Sequence, residues 1–370
     1  METHRRLSFD KPLFAVTLLL LVIGIVMVFS SSAVLAGVKY KQPLHFLIQQ
    51  VIGTVTGLVL VFLLLSVKRT VFQNPMVVYG LLLFSAALLM LCFAMPTIAR
   101  TNRWIQFFGI RFQPSELAKI SLVLFFAYFC TEKKEKLNEA KTLLFPLGVL
   151  FAFVILIVME PNYSMALFVA GLSGMMLFLG GVKFRYFAVL IGIGAVLFTV
   201  YLFQANYRME RIHGFMSPDK DPLGQSFQVN QSKLAVGSGG LLGVSLGQST
   251  QKLFFLPFAH TDFIFAILGE EVGLLGTTFT IVLFLVFLWR GLTISFRTPD
   301  PRDKLIAAGL TLAVTAQALL NITVVLGLGP ATGIPLPFIS YGRSSLVCNL
   351  AAVGILLNIS QRKGEAGVKP

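Results

Sequence analysis

The sequence predicts an all-α integral membrane protein with about ten transmembrane helices and one long extracytoplasmic loop. Hydrophobic residues make up 56% of the 370 residues and charged residues only 12%, and the mean hydropathy is +0.83. A soluble domain cannot bury that much apolar surface. The apolar residues form runs of about 18 or more, long enough to cross a hydrocarbon core of roughly 30 Å as helices. Lys and Arg concentrate at the ends of these runs.

The apolar runs give the order of the helices along a single polytopic domain, residues 1–370. Each run must be helical, because lipid offers no partner for an unpaired backbone amide. The first run follows Arg5, Arg6 and Lys11 and is too long for the core of a signal peptide, although small residues after Phe29 leave cleavage open. The runs are 13–35, 45–66, 76–95, 115–131, 142–159, 163–181, 186–204, 263–289, 305–327 and 343–360.

The distribution of basic residues predicts that both termini are cytoplasmic. In that orientation 18 of the 30 Lys and Arg residues lie in cytoplasmic segments. Five of the others lie in segment 205–260, the long extracytoplasmic loop, where we expect short helices on the membrane surface. Loops 96–114 and 328–342 face the same compartment. The net charge of +14 then follows from topology rather than nucleic-acid binding, and three widely spaced cysteines in apolar stretches predict no disulfide or metal framework.

Polar residues near the outer ends of the helices are the candidates for function, because an ionisable group near lipid needs a partner or a role. In RWIQFFGIRFQPSELAKI, residues 103–120, Pro114 suits the first turn of a helix. Glu116 and Lys119 are three residues apart and can pair on one helix face. Either the pair is structural and anchors the helix end, or it lines a functional cavity. The polar turn 160–164 is weak evidence by itself.

The long loop carries Arg208 and Arg211, followed by a Gly-rich stretch at 237–240. Guanidinium groups and Gly-rich backbone are suited to holding a phosphate. The same residues could equally pair with the acidic residues of their own loop. Composition leaves both interpretations open.

Asp262 lies where a long apolar helix begins, in AHTDFIFAILGEE. Its position favours an N-cap, with a general base or a metal ligand as alternatives. Glu270 and Glu271 lie deeper in the same helix and must find different neighbours. The segment 333–345 contains two prolines and two glycines, so it must be a loop or re-entrant segment that lines a cavity with hydroxyls and Arg343.

Together these clusters resemble the SEDS family (shape, elongation, division and sporulation) over nearly the whole chain. Four motifs carry the resemblance: RWI…FQPSELAKI, YRMERI…DPLGQSFQVNQSKLAVGSGGL, AHTDFIFAILGEE and GIPLPFISYG. The resemblance implies the SEDS fold and an inverting glycosyltransferase that polymerises lipid II, the undecaprenyl-pyrophosphate-linked disaccharide pentapeptide. An acceptor hydroxyl would displace undecaprenyl pyrophosphate, which calls for a base and for positive charge near the leaving group.

Residue roles follow from the resemblance, position by position. Asp262 matches the family's essential outer aspartate and becomes the expected base. Glu116 and Lys119 match a family pair near the cavity, and His260 stands beside the aspartate motif. The residues expected to bind the pyrophosphate are Arg103, Lys119, Arg208 and Arg211. Ser340 and Ser344 match the family's hydroxyl-rich loop and are also expected to bind substrate.

The chain departs from the family's usual pattern at three positions. Asn162 stands where the family usually has Asp, Phe258 where it has Glu, and Arg343 where it has Gly. The two lost acids weaken any site for a divalent cation, Mg²⁺ or Mn²⁺, so the metal ligands stay unknown. They also leave open a weakly active scaffold as an alternative function.

The resemblance also implies partners and a location. The opening FDKPLFAVTLLLLVIGIVMVFSSSA is more similar to FtsW, the division member, than to RodA, so septal wall synthesis is expected, with an elongation or sporulation paralogue as the alternative. The implied partners are lipid II, a class B penicillin-binding protein transpeptidase and other divisome proteins, at the bacterial inner membrane and the division septum. A lipid II flippase is the principal rival, but the polar residues here concentrate on one face.

Overall fold

The computed structural model describes residues 9–95, 103–107, 110–187 and 227–361, which form a helical bundle. The longer helices are α1 (Lys11–Tyr40), α2 (His45–Ser66), α4 (Pro75–Cys92), α5 (Pro114–Glu132), α6 (Ala140–Met159), α7 (Tyr163–Leu179), α8 (Phe227–Ser238), α9 (Ile264–Arg297), α10 (Pro301–Val325) and α11 (Arg343–Ser360). The short elements are α3 (Thr70–Gln73), β1 (Ile105–Phe107), β2 (Ile110–Phe112) and a 3₁₀ turn at Lys134–Lys136.

The described residues contain nine of the ten predicted spans. Eight helices are long and apolar enough to cross a membrane, and α7, with 17 residues, is a shorter apolar helix at the sixth predicted run. The run 186–204 lies almost entirely outside the described residues. The prediction of an all-α membrane protein is confirmed.

Proline and short polar residues determine where several helices begin. Asp10 caps α1 by accepting from the Leu13 N–H, and Asp300 caps α10 by accepting from two backbone N–H groups. Pro114 occupies the first turn of α5, as predicted. Loop 96–114, in contrast, contains a feature the sequence did not predict: β1 and β2 pair as a short antiparallel hairpin.

Helices α5, α10 and α11 form the centre of the bundle. In their most apolar windows, 83%, 67% and 78% of the residues are buried, whereas α6 is 22% buried and turns most of its surface outward. The central helices also carry the buried polar side chains described below. Polar chemistry is therefore enclosed by protein, and the outer helices face lipid.

Both ends of the described chain lie at the same end of the bundle. The Asp10 N–H donates to Ser360 Oγ at 3.0 Å, and Arg290 near the end of α9 pairs with the Asp10 carboxylate. Arg69 donates to the carbonyl of Gln361 at 2.7 Å. This agrees with termini on one side of the membrane, while the assignment of that side to the cytoplasm stays a prediction.

Residues 239–256, in the predicted extracytoplasmic loop, run along α9 below its N-terminus. Helix α9 is broken at Gly273, where φ is 69° and ψ is −163°. The backbone groups near the break bond to the loop: Leu274 N–H donates to Gly240 O at 2.9 Å, and Val244 N–H donates to Glu270 O at 3.0 Å. Irregular backbone is tolerated at membrane depth when protein satisfies it. The protein itself therefore satisfies the irregular backbone where this segment packs on α9.

The two adjacent glutamates of α9 hold residues 239–256 in place. Glu270 accepts from Ser249 Oγ and from the Thr250 N–H and hydroxyl, both at 2.9 Å. Glu271 pairs with Lys252 at 2.8 Å and accepts from Ser30 of α1 at 2.7 Å. The expectation that the two carboxylates meet different neighbours is correct, and their role is structural.

A Gly239→Ala substitution is expected to destabilise the protein. An added Cβ would lie 1.9 Å from the carbonyl oxygen of Gly269, and overpacking against backbone typically costs about 1–3 kcal/mol. Gly237→Ala is the matched control, since its Cβ would meet no described atom within 4 Å and Ala favours a helix. Thermal unfolding in detergent measures both variants. Equal melting temperatures would contradict the close approach of residues 239–256 to α9.

Candidate active site

The candidate site lies at the end of the bundle away from Asp10 and Ser360. The start of α9, the loop between α10 and α11, residues 103–107 and the α6–α7 turn come together there. Asp262 immediately precedes α9, and Glu160 ends α6. The Arg103 guanidinium is close enough to both carboxyl groups to lower the pKa of each.

Hydrogen bonds from the 333–342 loop fix the backbone around Asp262. Ser340 Oγ donates to Thr261 O at 2.6 Å and accepts from Leu336 N–H at 2.9 Å. The Tyr341 N–H donates to His260 O at 3.0 Å. Ser340 therefore joins the two loops instead of presenting a free hydroxyl.

Asn321 of α10 adds a second attachment. Its amide Nδ2 donates to Asp262 O at 2.7 Å and to Ile334 O at 2.9 Å. The backbone of Asp262 is thus held from both the loop and a central helix. Such anchoring keeps a reactive side chain in a fixed orientation.

The N-cap interpretation of Asp262 is wrong. Helix α9 begins at Ile264 with Phe263 at its N-cap position, and no side chain caps it. The half-buried Asp262 carboxylate accepts no hydrogen bond from the described residues. It lies beside Gly333, where an added Cβ atom would come within 3.6 Å of Asp262 Oδ2. Burial raises the pKa of Asp262 to about 6, and Arg103 opposes that shift. An unpaired carboxylate with this pKa suits a general base near neutral pH.

His260 packs among aromatic rings beside Asp262. Its ring centroid lies 4.7 Å from that of Phe46 and 5.8 Å from that of Tyr341. Burial, with a smaller contribution from Lys39, lowers the pKa of His260 to about 4, so the imidazole is neutral at pH 7. A neutral imidazole can donate or accept a hydrogen bond but adds no charge to the site.

Glu116 and Lys119 form the predicted ion pair inside the bundle. Lys119 Nζ lies 2.9 Å from Glu116 Oε2, and both side chains are fully buried. The ammonium also donates to Gln317 Oε1 at 2.6 Å and to Asn349 Oδ1 at 3.3 Å. All three ammonium donors are therefore used within the protein. Gln317 in turn donates to Pro335 O at 3.0 Å, which connects the pair to the 333–342 loop.

Comparisons with known proteins agree with this architecture. Residues 10–365 match the family model FtsW/RodA/SpoVE, described as cell cycle protein. The chain belongs to this family. It is 38% identical over 361 residues to stage V sporulation protein E of Bacillus subtilis, covering 97% of this chain and 99% of that protein. It is 36% identical to a probable peptidoglycan glycosyltransferase FtsW of Geobacter metallireducens, covering 96% and 95%.

Solved structures of the FtsW/RodA/SpoVE family share the fold. A chain from a peptidoglycan synthase complex that coordinates polymerization and crosslinking superposes with a TM-score of 0.78 at 28% identity, covering 95% of this chain and 98% of that one. The rod shape determining protein RodA of Thermus thermophilus superposes with a TM-score of 0.69 at 24% identity, covering 96% of this chain and 97% of that one.

Three further positions that the family resemblance singled out lie among the described residues. Ser344 is buried in the first turn of α11, and Arg343, the first residue of that helix, lies against Gly53 of α2. Phe258 has a φ of 59° and is 59% exposed, so the ring is turned away from the core. Arg208 and Arg211 lie outside the described residues. Their contact with substrate stays a prediction.

A divalent-cation site does not arise from the described residues. Among them no three His, Cys, Asp or Glu side chains come close enough to share an ion. No step of the mechanism below uses a metal.

Sequence reasoning missed the amides that position the site. Gln50, Gln317, Asn321 and Asn349 are all buried in helices that otherwise read as apolar. These residues could have been found as single Gln or Asn residues inside an apolar run, because an amide there needs a hydrogen-bond partner in the bundle interior. Glu160 was also missed, since it lies in a turn where polar residues are ordinary.

Proposed function

We propose that this protein is a peptidoglycan glycosyltransferase that polymerises lipid II into glycan strands. The observation that carries the proposal is Asp262, an unpaired and half-buried carboxylate near a polar end of the bundle. Asn321 holds its backbone carbonyl, and Ser340 and Tyr341 hold the two residues before it. Relatives named probable peptidoglycan glycosyltransferase FtsW, 36–37% identical over nearly the full length, support this activity.

In the proposed reaction Asp262 acts as general base. The acceptor GlcNAc 4-hydroxyl attacks the MurNAc anomeric carbon of the growing strand, and the Asp262 carboxylate takes the hydroxyl proton. The bond from that carbon to the pyrophosphate oxygen breaks, so undecaprenyl pyrophosphate leaves with the electron pair and the α linkage becomes β. Proton removal and stabilisation of the leaving group are the two contributions expected of the protein.

Basic residues divide between two roles in this proposal. Arg208 and Arg211 in the long loop, with Arg103, are available to neutralise a departing pyrophosphate. The Lys119 ammonium already donates three hydrogen bonds within the bundle, so it has no free N–H for a pyrophosphate. Its geometry favours a positioning role with Glu116, and its contact with pyrophosphate stays a prediction.

The orientation and cellular role belong to the same proposal. Asp262 lies on the outer face of the bacterial inner membrane with both termini in the cytoplasm, and the enzyme works in septal wall synthesis beside a class B penicillin-binding protein and other divisome proteins. The similarity to a chain of a synthase complex supports a transpeptidase partner. The similarity to stage V sporulation protein E keeps a sporulation or elongation role as the alternative.

The deciding experiment is polymerisation of labelled lipid II by the purified protein together with its cognate transpeptidase. The expected product is a ladder of glycan strands formed without an added soluble glycosyltransferase. Failure to form polymer, combined with lipid II translocation in vesicles, would favour a flippase. Failure in both assays, with normal transpeptidase activation, would favour a scaffold.

The polymerisation rate at low substrate is expected to fall as the pH drops below about 6. Above the pKa of Asp262, which burial raises to about 6, the base is deprotonated, and below it the base is lost. The measurement is kcat/KM from about pH 5 to 7.5. In a His260→Gln control the midpoint should not move, because the pKa of His260 is already lowered to about 4. A flat profile across this range would contradict the role of Asp262.

A further inference from the structure

The α6–α7 turn holds a concentration of buried polar atoms that have no hydrogen-bond partner. Neither carboxyl oxygen of Glu160 has an N–H or O–H partner among the described residues; the Cys92 thiol, a weak donor, is the side-chain partner it has there, and the residue is 0% exposed. Asn162 Nδ2 and Arg103 Nε are also buried and unpartnered there. A buried polar group left unsatisfied destabilises the fold, so several together indicate a place that a polar ligand occupies.

The turn itself does not use these side chains. Asn is a preferred N-cap residue, but Asn162, which precedes α7, makes no side-chain cap bond. Glu160 is the C-cap residue of α6, and its backbone N–H donates to Leu156 O at 3.2 Å. The side-chain groups therefore remain available although they are buried.

Arg103 places this turn beside Asp262. The same guanidinium lowers the pKa of both carboxyl groups, so it lies within electrostatic reach of Glu160 and of Asp262. A ligand held at the turn would consequently lie next to the expected base.

The chemistry of the turn favours an amide over a phosphate. Arg103 Nε and Asn162 Nδ2 offer N–H donors, whereas Glu160 offers carboxyl oxygens. A phosphate offers only acceptors, so Glu160 could meet it through no more than the single O–H of its protonated form. An acetamido group instead matches both kinds of partner, because its carbonyl accepts and its N–H donates.

We propose that Arg103, Glu160 and Asn162 form a subsite that binds an acetamido group of the lipid-linked sugar next to Asp262. This inference rests on the proposed function, since it names the part of that substrate that the turn recognises. The carbonyl oxygen of the acetamido group accepts from Asn162 and Arg103, and its N–H donates to Glu160. Burial raises the pKa of Glu160 to about 8, so the group is mostly neutral at pH 7 and does not repel the substrate.

The test measures binding in the full chain carrying Asp262→Asn, so that nothing turns over. Three probes are compared: lipid II, a lipid II analogue with hydroxyls in place of both acetamido groups, and undecaprenyl pyrophosphate. Lipid II is expected to bind about tenfold more tightly than the analogue, the worth of one or two hydrogen bonds. Adding Glu160→Leu should abolish that preference, and adding Glu160→Gln should retain it, because the amide still accepts and donates.

The two substitutions separate recognition from folding. Glu160→Leu replaces an unsatisfied carboxyl by an apolar group of similar size, so the melting temperature should be maintained or raised. Binding of undecaprenyl pyrophosphate should stay within about twofold in both variants. An unchanged preference in Glu160→Leu, or equal weakening of all three probes, would overturn the subsite. If the parent protein bound no lipid II at all, the proposed function itself would fail, and the subsite with it.

Discussion

Replacing Asp262 by Ala is expected to stop lipid II polymerisation while the fold stays intact. General base catalysis typically accelerates a reaction by about 100- to 10,000-fold. The polymerisation rate of the Ala variant should therefore be at least about 100-fold lower than that of the wild type. Stability should not fall, because the carboxylate accepts no hydrogen bond from the described residues and only its backbone carbonyl is held, by Asn321. The measurement is strand formation from labelled lipid II, paired with thermal unfolding in the same detergent.

Two control variants distinguish the loss of proton transfer from a loss of packing or stability. Asp262→Asn keeps the shape of the side chain and should be as inactive as the Ala variant, which would show that proton transfer rather than packing is lost. Asp300→Ala removes a carboxylate that caps α10, so it should cost about 1 kcal/mol of stability and leave polymerisation unchanged. Wild-type polymerisation by the Asn variant would remove Asp262 from the role of base.

The spans were predictable from the sequence because lipid forces each apolar run to be a helix. The packing of α8 and residues 239–256 against α9 was not, since these residues contain no long apolar run. What places them against α9 is the break at Gly273, whose backbone groups need partners, together with the pairing of Glu271 with Lys252. Both features depend on contacts between distant residues, which no local pattern shows.

The candidate site was also predictable from the sequence only in part. The Glu116–Lys119 pair was predictable because a spacing of three residues brings side chains together on a helix. The N-cap interpretation of Asp262 failed because the helix starts two residues later, and boundaries are the least certain part of a helix prediction. Ser340 was predicted as a lining hydroxyl, but whether a hydroxyl faces a cavity or bonds to a neighbouring loop depends on tertiary structure.

Breaking the Glu116–Lys119 pair is expected to cost both stability and activity. Lys119→Met leaves the buried Glu116 carboxylate without its partner, and removing one member of a buried ion pair typically costs about 3–5 kcal/mol. Activity should fall as well, because Lys119 bonds to Gln317 and Gln317 bonds to Pro335 O in the loop that holds Asp262. Thermal unfolding and lipid II polymerisation measure the two effects.

The double variant Glu116→Gln with Lys119→Met separates those effects. With no charge left unpaired, the melting temperature should recover toward that of the wild type, since a buried pair replaced by neutral groups is often nearly neutral in stability. Polymerisation should remain at least about tenfold reduced, because the ammonium that orients Gln317 is still absent. A stable double variant with full activity would show that the pair only anchors α5, whereas a stable and slow one would show that it positions the loop around Asp262.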